Sequence, residues 1–400
     1  MQPMAELASA PIYRKAEQAM AAGDVETLER LIRDHGEVFR HEPTKDARAL
    51  IARAQFFETW DDYAAFAARA KDPHSPVGHF ETTVEAVVSG DEETLQSQLR
   101  QVPNLIRARS ERTHHATLLH YVGANGVEGF RQRTPKNAVG IATILLDAGA
   151  DVDALADMYG GSTTLGLVAT SCHPRDAGVQ EPLIEILLAH GAVIDGAGAS
   201  GPGGIETPLV NSCLANGRPE AAAFLVTRGA RLDLEGASGV GRLDVVRTFF
   251  DADGTLKPTA TRQQRADGFS WACEYDQIRI IEYLLDRGMN AGTRLRPHGQ
   301  SGLHWAAIGG HLETIDLLLK RGAPIDLKDE SFNGTALDWV LFHWLTLPEE
   351  RLRTLNYYEV AARLVAAGAT VDWQWIDHAG RAPLGDMVRA DAKMLEALTA

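Results

Sequence analysis

Few residues in this chain have the type and spacing that could do chemistry. The densest imidazole group is His114 and His115, beside Arg112 and upstream of His120 and Tyr121. Adjacent histidines in a loop project differently, and the segment does not supply the carboxylate that would orient them. They therefore read as a loop tip rather than a metal site. Cys172-His173-Pro174 reads as a structural loop, because a reactive thiolate needs an open, positively charged setting. Gly196, Gly198 and Gly201 match G-x-G-x-x-G, but Pro202 and two more glycines follow where a dinucleotide motif must open a helix. No G-x-x-x-x-G-K-[ST], H-E-x-x-H, C-x-x-C or G-x-S-x-G occurs. Acid/base chemistry would fall to Glu274, with His343 or His115 as its partner and Tyr121 or Tyr275 as an orienting hydroxyl, provided the fold brings them together.

The elements that must position these residues are clearest between Gly302 and Asp326. Leu303, Ala306 and Ala307 recur at helical spacing, and Leu312, Ile315, Leu318 and Leu319 do so again after Gly309-Gly310, predicting two short amphipathic helices back to back. Small alanines let the helices approach, and Gly322 suits a left-handed residue closing the second. Neither helix could bury its apolar face alone, so the unit needs neighbours.

The neighbours are marked by the same terminal glycine, at 149, 191, 229, 288, 322 and 368, with spacings of 42, 38, 59, 34 and 46. The 59-residue gap contains GRLDVVRTFFDADG, ending at Gly254. First helices open at Thr117, Thr164, Thr207-Pro208, Gly302 and Thr335, the third with an N-cap Thr and a Pro at the first helical position. Trp271, Trp305 and Trp339 each stand one position after the site that holds His304 in the Gly302 copy.

These copies resemble the ankyrin-repeat family, whose Thr-Pro-Leu-His motif and period of about 33 residues they follow loosely. The histidine survives as His120 and His304 and is Gly166, Val210 and Asp338 elsewhere. The resemblance implies an all-α solenoid of stacked helix-turn-helix units. Residues 1–78 are expected to form a divergent helical N-terminal cap, and 79–400 the repeat array with inserted loops and a C-terminal cap. It also implies a concave row lined by Asn125, Glu274, Tyr275, Phe342 and His343. The three tryptophans either pack between helices or floor an aromatic-walled pocket, with His298, Arg294 and Arg296 as its polar groups. Tyr159 is a further candidate binding residue. Insertions such as VEGFRQRTPKNAVG, whose Arg131, Arg133 and Lys136 read as a basic island, fall on loops that are often the binding edge.

Function on such a scaffold is carried by its surface. The expected role is binding of a protein partner through the concave face and finger loops, with aromatic side chains as anchors. The alternative is an enzyme or small-molecule receptor, suggested by the many insertions. A net charge of −15 opposes nucleic acid and anionic membranes. No cofactor or metal is expected. Cys172, Cys213 and Cys273 are too few and too scattered for a disulfide framework, which fits a reducing compartment. No signal peptide or bilayer-length apolar run is evident. The expected protein is cytoplasmic and monomeric, and its Ala-, Arg- and Gly-rich composition suggests a bacterial source.

Overall fold

A computed structural model describes residues 5–36, 38–39, 42–195, 207–346, 355–378 and 382–399. The glycine triplet at 196, 198 and 201, and much of the insertion after Trp344, lie outside them. Among the described residues the regular elements are helices, and extended pairing is confined to the isolated bridges Ala156–Ser162, Phe250–Leu256 and Leu295–Gln300. No described helix is long and apolar enough to cross a membrane. The chain divides into two compact units, one of Ser9–Arg231 and one of Leu232–Ala400 together with Met1–Ala8.

In the unit Leu232–Ala400, four helix pairs follow one another. They are Leu234–Gly239 with Leu243–Thr248, Arg262–Glu274 with Ile278–Asp286, Gly302–Gly309 with Leu312–Lys320, and Ala336–Thr346 with Tyr357–Ala366; Trp373–Ile376, Ala382–Ala390 and Ala392–Thr399 come last. One continuous apolar core runs from Leu234 to Leu398 through Phe269, Leu303, Ile315, Val340 and Leu364. Each pair contributes a face that it could not bury by itself.

The recurring glycines do what their spacing predicts. Residues 149, 191, 229, 288, 322 and 368 all adopt φ between +80° and +100°. A Cβ at any of them would meet nothing within 4 Å, so backbone conformation and not space demands glycine there. Gly302 is the opposite case. A Cβ there would lie 2.8 Å from Cys273 Sγ and 2.9 Å from Phe269 Cε1, so it sets the close approach of the third first-helix to the second.

The unit Ser9–Arg231 begins within the helix Ala5–Ala22, followed by Val25–Asp34, Ala47–Ala54 and Trp60–Ala70, the last three each capped by an aspartate or threonine side chain. Pro76–Ser89 and Glu92–Gln101 form the next pair, and Ala138–Asp147, Thr164–Thr170, Gln180–Ala189, Leu209–Ala215 and Pro219–Thr227 continue the series. The first helix at Thr117 is tightened into a 3-10 turn, Leu118–Gly123.

Candidate functional site

His120 and His304 make the same set of bonds in their respective units. His120 Nδ1 lies 3.1 Å from the Thr117 amide, and His304 Nδ1 lies 3.0 Å from the Ser301 amide. An amide can only donate, so Nδ1 is the acceptor and the proton sits on Nε2. From there His120 donates to the carbonyls of Ala154 at 3.0 Å and Ser162 at 3.2 Å, and His304 to that of Gly334 at 3.1 Å. Each ring thus caps its own helix and pins the next finger loop. Burial holds both imidazoles below their usual range, His120 at about 4, against the opposing pull of their backbone bonds. At Asp338 the pattern is half kept: Oδ2 accepts the Thr335 amide at 2.9 Å, while the buried Oδ1 has no partner among the described residues.

A family model of ankyrin repeats (three copies) matches residues 234–329. That stretch of the chain consists of ankyrin repeats. Among the chain's relatives is the ankyrin repeat domain-containing protein SAT10 of Stachybotrys chartarum, 29% identical over 52% of this chain and 10% of the relative. Another is the E3 ubiquitin-protein ligase hecd-1 of Caenorhabditis elegans, 41% identical over 17% of this chain and 2% of the relative. The chain thus spans a tenth or less of the length of these two relatives. Both organisms are eukaryotes, so the compositional expectation of a bacterial source draws nothing from them. The crystal structure of the human ASB11 ankyrin repeat domain aligns with 72% of this chain and 99% of its own at 19% identity, with a TM-score of 0.35.

The three in-register tryptophans of the ankyrin repeats meet different fates. Trp339 is buried and donates its indole N–H to Asp329 Oδ2 at 3.0 Å, within the core. Trp271 is half-buried, donates to Glu235 Oε1 at 2.9 Å and stacks on Tyr275 with centroids 6.2 Å apart. Trp305 is half-buried, and its buried Nε1 has no partner among the described residues. Phe342 and His343 are half-buried beside Trp339, and His343 Nδ1 lies 3.0 Å from the Trp339 carbonyl.

Glu274 closes the helix Arg262–Glu274 on this row. Its Oε2 is buried with no hydrogen-bond partner among the described residues, and burial raises its carboxyl to about 7 despite a hydrogen bond with the Tyr275 side chain. The histidine beside it is His311, whose Nε2 lies 2.7 Å from the Glu274 main-chain oxygen. That pairing was not read from the sequence, because it depends on a turn between neighbouring repeats. Burial likewise lifts Glu235 to about 7, with Asp267 and Asp233 adding repulsion, against the indole bond from Trp271.

The remaining candidates are committed to finger-loop structure. Arg294 donates to the Lys328 carbonyl at 2.5 Å, His298 pairs with Ser331 at 3.0 Å, and Arg296 is ion-paired with Asp267. Three others belong to the unit Ser9–Arg231. Asn125 joins Thr170 at 3.2 Å and accepts from the Tyr159 hydroxyl at 2.9 Å, Tyr159 being half-exposed with φ +51°. His115 is exposed and pairs with Asp157 at 2.7 Å.

Tyr121 and His114 are core residues, which corrects the loop-tip reading of His114. Arg112 and Arg131, both buried, meet the buried Glu128 and the nearly buried Glu81. Arg112 contacts Glu81 at 2.7 Å and also Glu128, and Arg131 lies 2.9 Å from Glu81 and 3.2 Å from Glu128. Arg112 also lies over the Phe66 ring at 4.5 Å. Burial would raise the Glu128 carboxyl, but His114, Arg112 and Arg131 hold it below the ordinary range. The basic island is therefore corrected as well. Arg131 is neutralised in the interior and Arg133 is paired with Glu85. Sequence reasoning missed the cluster because Glu81, Arg112 and Glu128 come from three separate segments.

Proposed function

We propose that this ankyrin-repeat chain binds a protein partner through the row formed by Trp271, Tyr275, Trp305, Phe342 and His343 and the adjoining finger loops. The observation that carries the reading is that these side chains are only half-buried at neighbouring registers of successive repeats, Trp271 and Trp305 at one and Tyr275 and His343 at another, since aromatic anchors dominate interface energetics. A photo-crosslinking amino acid at Tyr275 or Phe342 tests it: discrete protein adducts are expected there and not at the outer-face positions Glu282 and Glu313. Loss of these adducts in Trp305→Ala, with folding intact, would tie them to the row.

A second reading, a small-molecule or catalytic pocket on the same face, draws on one observation: burial raises Glu274 to about 7, and its Oε2 has no partner among the described residues. A thermal-shift screen against metals, nucleotides, sugars, amino acids and aromatic acids separates the two. A ligand at a hundred times its dissociation constant adds about 2.7 kcal/mol, and in this reading the shift disappears in Glu274→Ala or His343→Ala. We take residues 1–78 as an N-terminal cap and the working form as a cytoplasmic monomer, consistent with its scattered cysteines.

A further inference from the structure

We propose that the unit Ser9–Arg231 carries a binding site for an uncharged, largely apolar small molecule, in the groove between the helix Ala5–Ala22 and the insertion that follows Asn125. The groove encloses about 700 Å³, within the roughly 300–1,000 Å³ of small-molecule sites, and shares no residue with the aromatic row of the protein-binding reading.

Three segments build it. Tyr13 and Met20 come from the helix, Phe56 from the turn after Ala47–Ala54, and Gly129 and Phe130 from the insertion. Phe130 is 41% exposed, and Tyr13, Met20 and Phe56 are half-buried, so a guest meets their apolar surface directly from solvent.

The walls are fixed in advance. Phe56 stands at φ +60°, a conformation that bulky residues rarely adopt, and is held there by the Thr113 amide on its carbonyl at 3.0 Å. Backbone strain of this kind persists only where the surroundings over-determine it, and it clusters at ligand sites. Beside it, Gln55 Nε2 donates to the carbonyls of Met20 at 3.2 Å and Ala21 at 2.9 Å and ties the helix to the floor. The insertion is anchored in the interior by Glu128 and Arg131, through their ion pairs with Arg112 and Glu81, and Gln132 Nε2 closes it on the Val127 carbonyl at 2.7 Å. A groove set on three sides has little freedom to lose when a guest enters.

Space and charge set the class of guest. A Cβ at Gly129 would meet nothing within 4 Å, so the insertion leaves room there. Arg14 and Glu17, exposed and one turn apart on the rim, offset each other. In the interior Arg112 and Arg131 are matched by Glu81 and Glu128. A charged guest would give up hydration without gaining an uncommitted counter-ion, and the net charge of −15 further opposes an anion. Aromatic and aliphatic walls with the side-chain amides of Gln18 and Gln132 suit a neutral ring system bearing one or two polar groups.

The test uses the full chain and the fluorescence of N-phenylnaphthylamine, an uncharged aromatic dye, beside anilinonaphthalene sulfonate, the same rings with a negative charge. The neutral dye is expected to bind saturably, about tenfold or more tighter than the sulfonate. Gly129→Phe, which fills the open space, should weaken it about tenfold, and Phe130→Ala, which removes an exposed wall, about fivefold. Leu155→Ala and Val193→Ala, which shorten exposed apolar side chains elsewhere in the unit, should each change it less than about twofold. An unchanged thermal midpoint confirms folding, and if Gly129→Phe melts early, Phe130→Ala decides. No saturable binding, a sulfonate that binds as tightly as the neutral dye, unchanged affinity in a folded Gly129→Phe or in Phe130→Ala, or equal loss in Leu155→Ala or Val193→Ala would each overturn the proposal.

Discussion

The indole N–H of Trp271 donates to Glu235 Oε1 at 2.9 Å, joining the first helices of two successive repeats through a polar bond on a half-buried face. The bond draws the Glu235 carboxyl down, but burial and its acidic neighbours outweigh it and leave the group near 7. Such a carboxyl is an acceptor whose charged form burial disfavours.

That penalty gives the first prediction. Glu235 and Glu274 are raised from 4.5 to about 7, so their contribution to stability is fully present below about pH 4.5 and is lost as pH rises through 7. Glu235→Gln and Glu274→Gln should therefore gain on the parent protein between pH 5 and pH 8, by about 1–2 kcal/mol each at the upper end. Urea unfolding at the two pH values measures this. An unchanged difference would contradict the assigned burial.

The histidines run the other way. His120 is lowered to about 4, so its contribution is complete above its unfolded value of about 6.5 and is lost as pH falls toward 4. The loss should approach about 3 kcal/mol. His120→Ala should remove most of that pH dependence while lowering stability at neutral pH by about 2 kcal/mol, through the orphaned Ala154 and Ser162 carbonyls. Nitrogen-15 chemical shifts of the ring report whether Nε2 carries the proton.

Two glycines should fail for different reasons. Gly322→Ala meets no atom but must hold φ near +81°, costing about 1–2 kcal/mol. Gly302→Ala puts a methyl on Cys273 and Phe269 and should cost about as much or more by overpacking. Cys273→Ala should relieve the second variant and not the first, which denaturant midpoints will show.

Much of this was legible in the sequence, and the boundary is physical. Helix pairs and motif glycines could be read because each is encoded within about twenty residues, and so could the copies of the capping histidine at His120 and His304. The fates of the three tryptophans could not. The same residue at the same register is core at Trp339 and half-buried at Trp271 and Trp305, according to what the next finger loop supplies. His311 beside Glu274, and Glu128 between Arg112 and Arg131, escaped notice because their partners are contributed by other turns and loops.

The buried charges at Glu128 yield a prediction of their own. Arg112→Met leaves Glu128 and Glu81 short of a guanidinium in the interior and should destabilise the protein by about 3–5 kcal/mol. Glu128→Gln, which keeps shape, should also be strongly destabilising, and the exposed Arg133→Met should change little. Thermal midpoints of the three variants decide it.

The central claim, that the aromatic row of the ankyrin repeats receives a protein, is tested most directly by crosslinking from within it. With a photo-reactive amino acid at Tyr275 or Phe342 in the full chain, the account predicts discrete protein adducts that vanish in Trp305→Ala, and none from Glu282 or Glu313. Adducts of equal yield from the outer positions, or none from Tyr275 and Phe342, would contradict it.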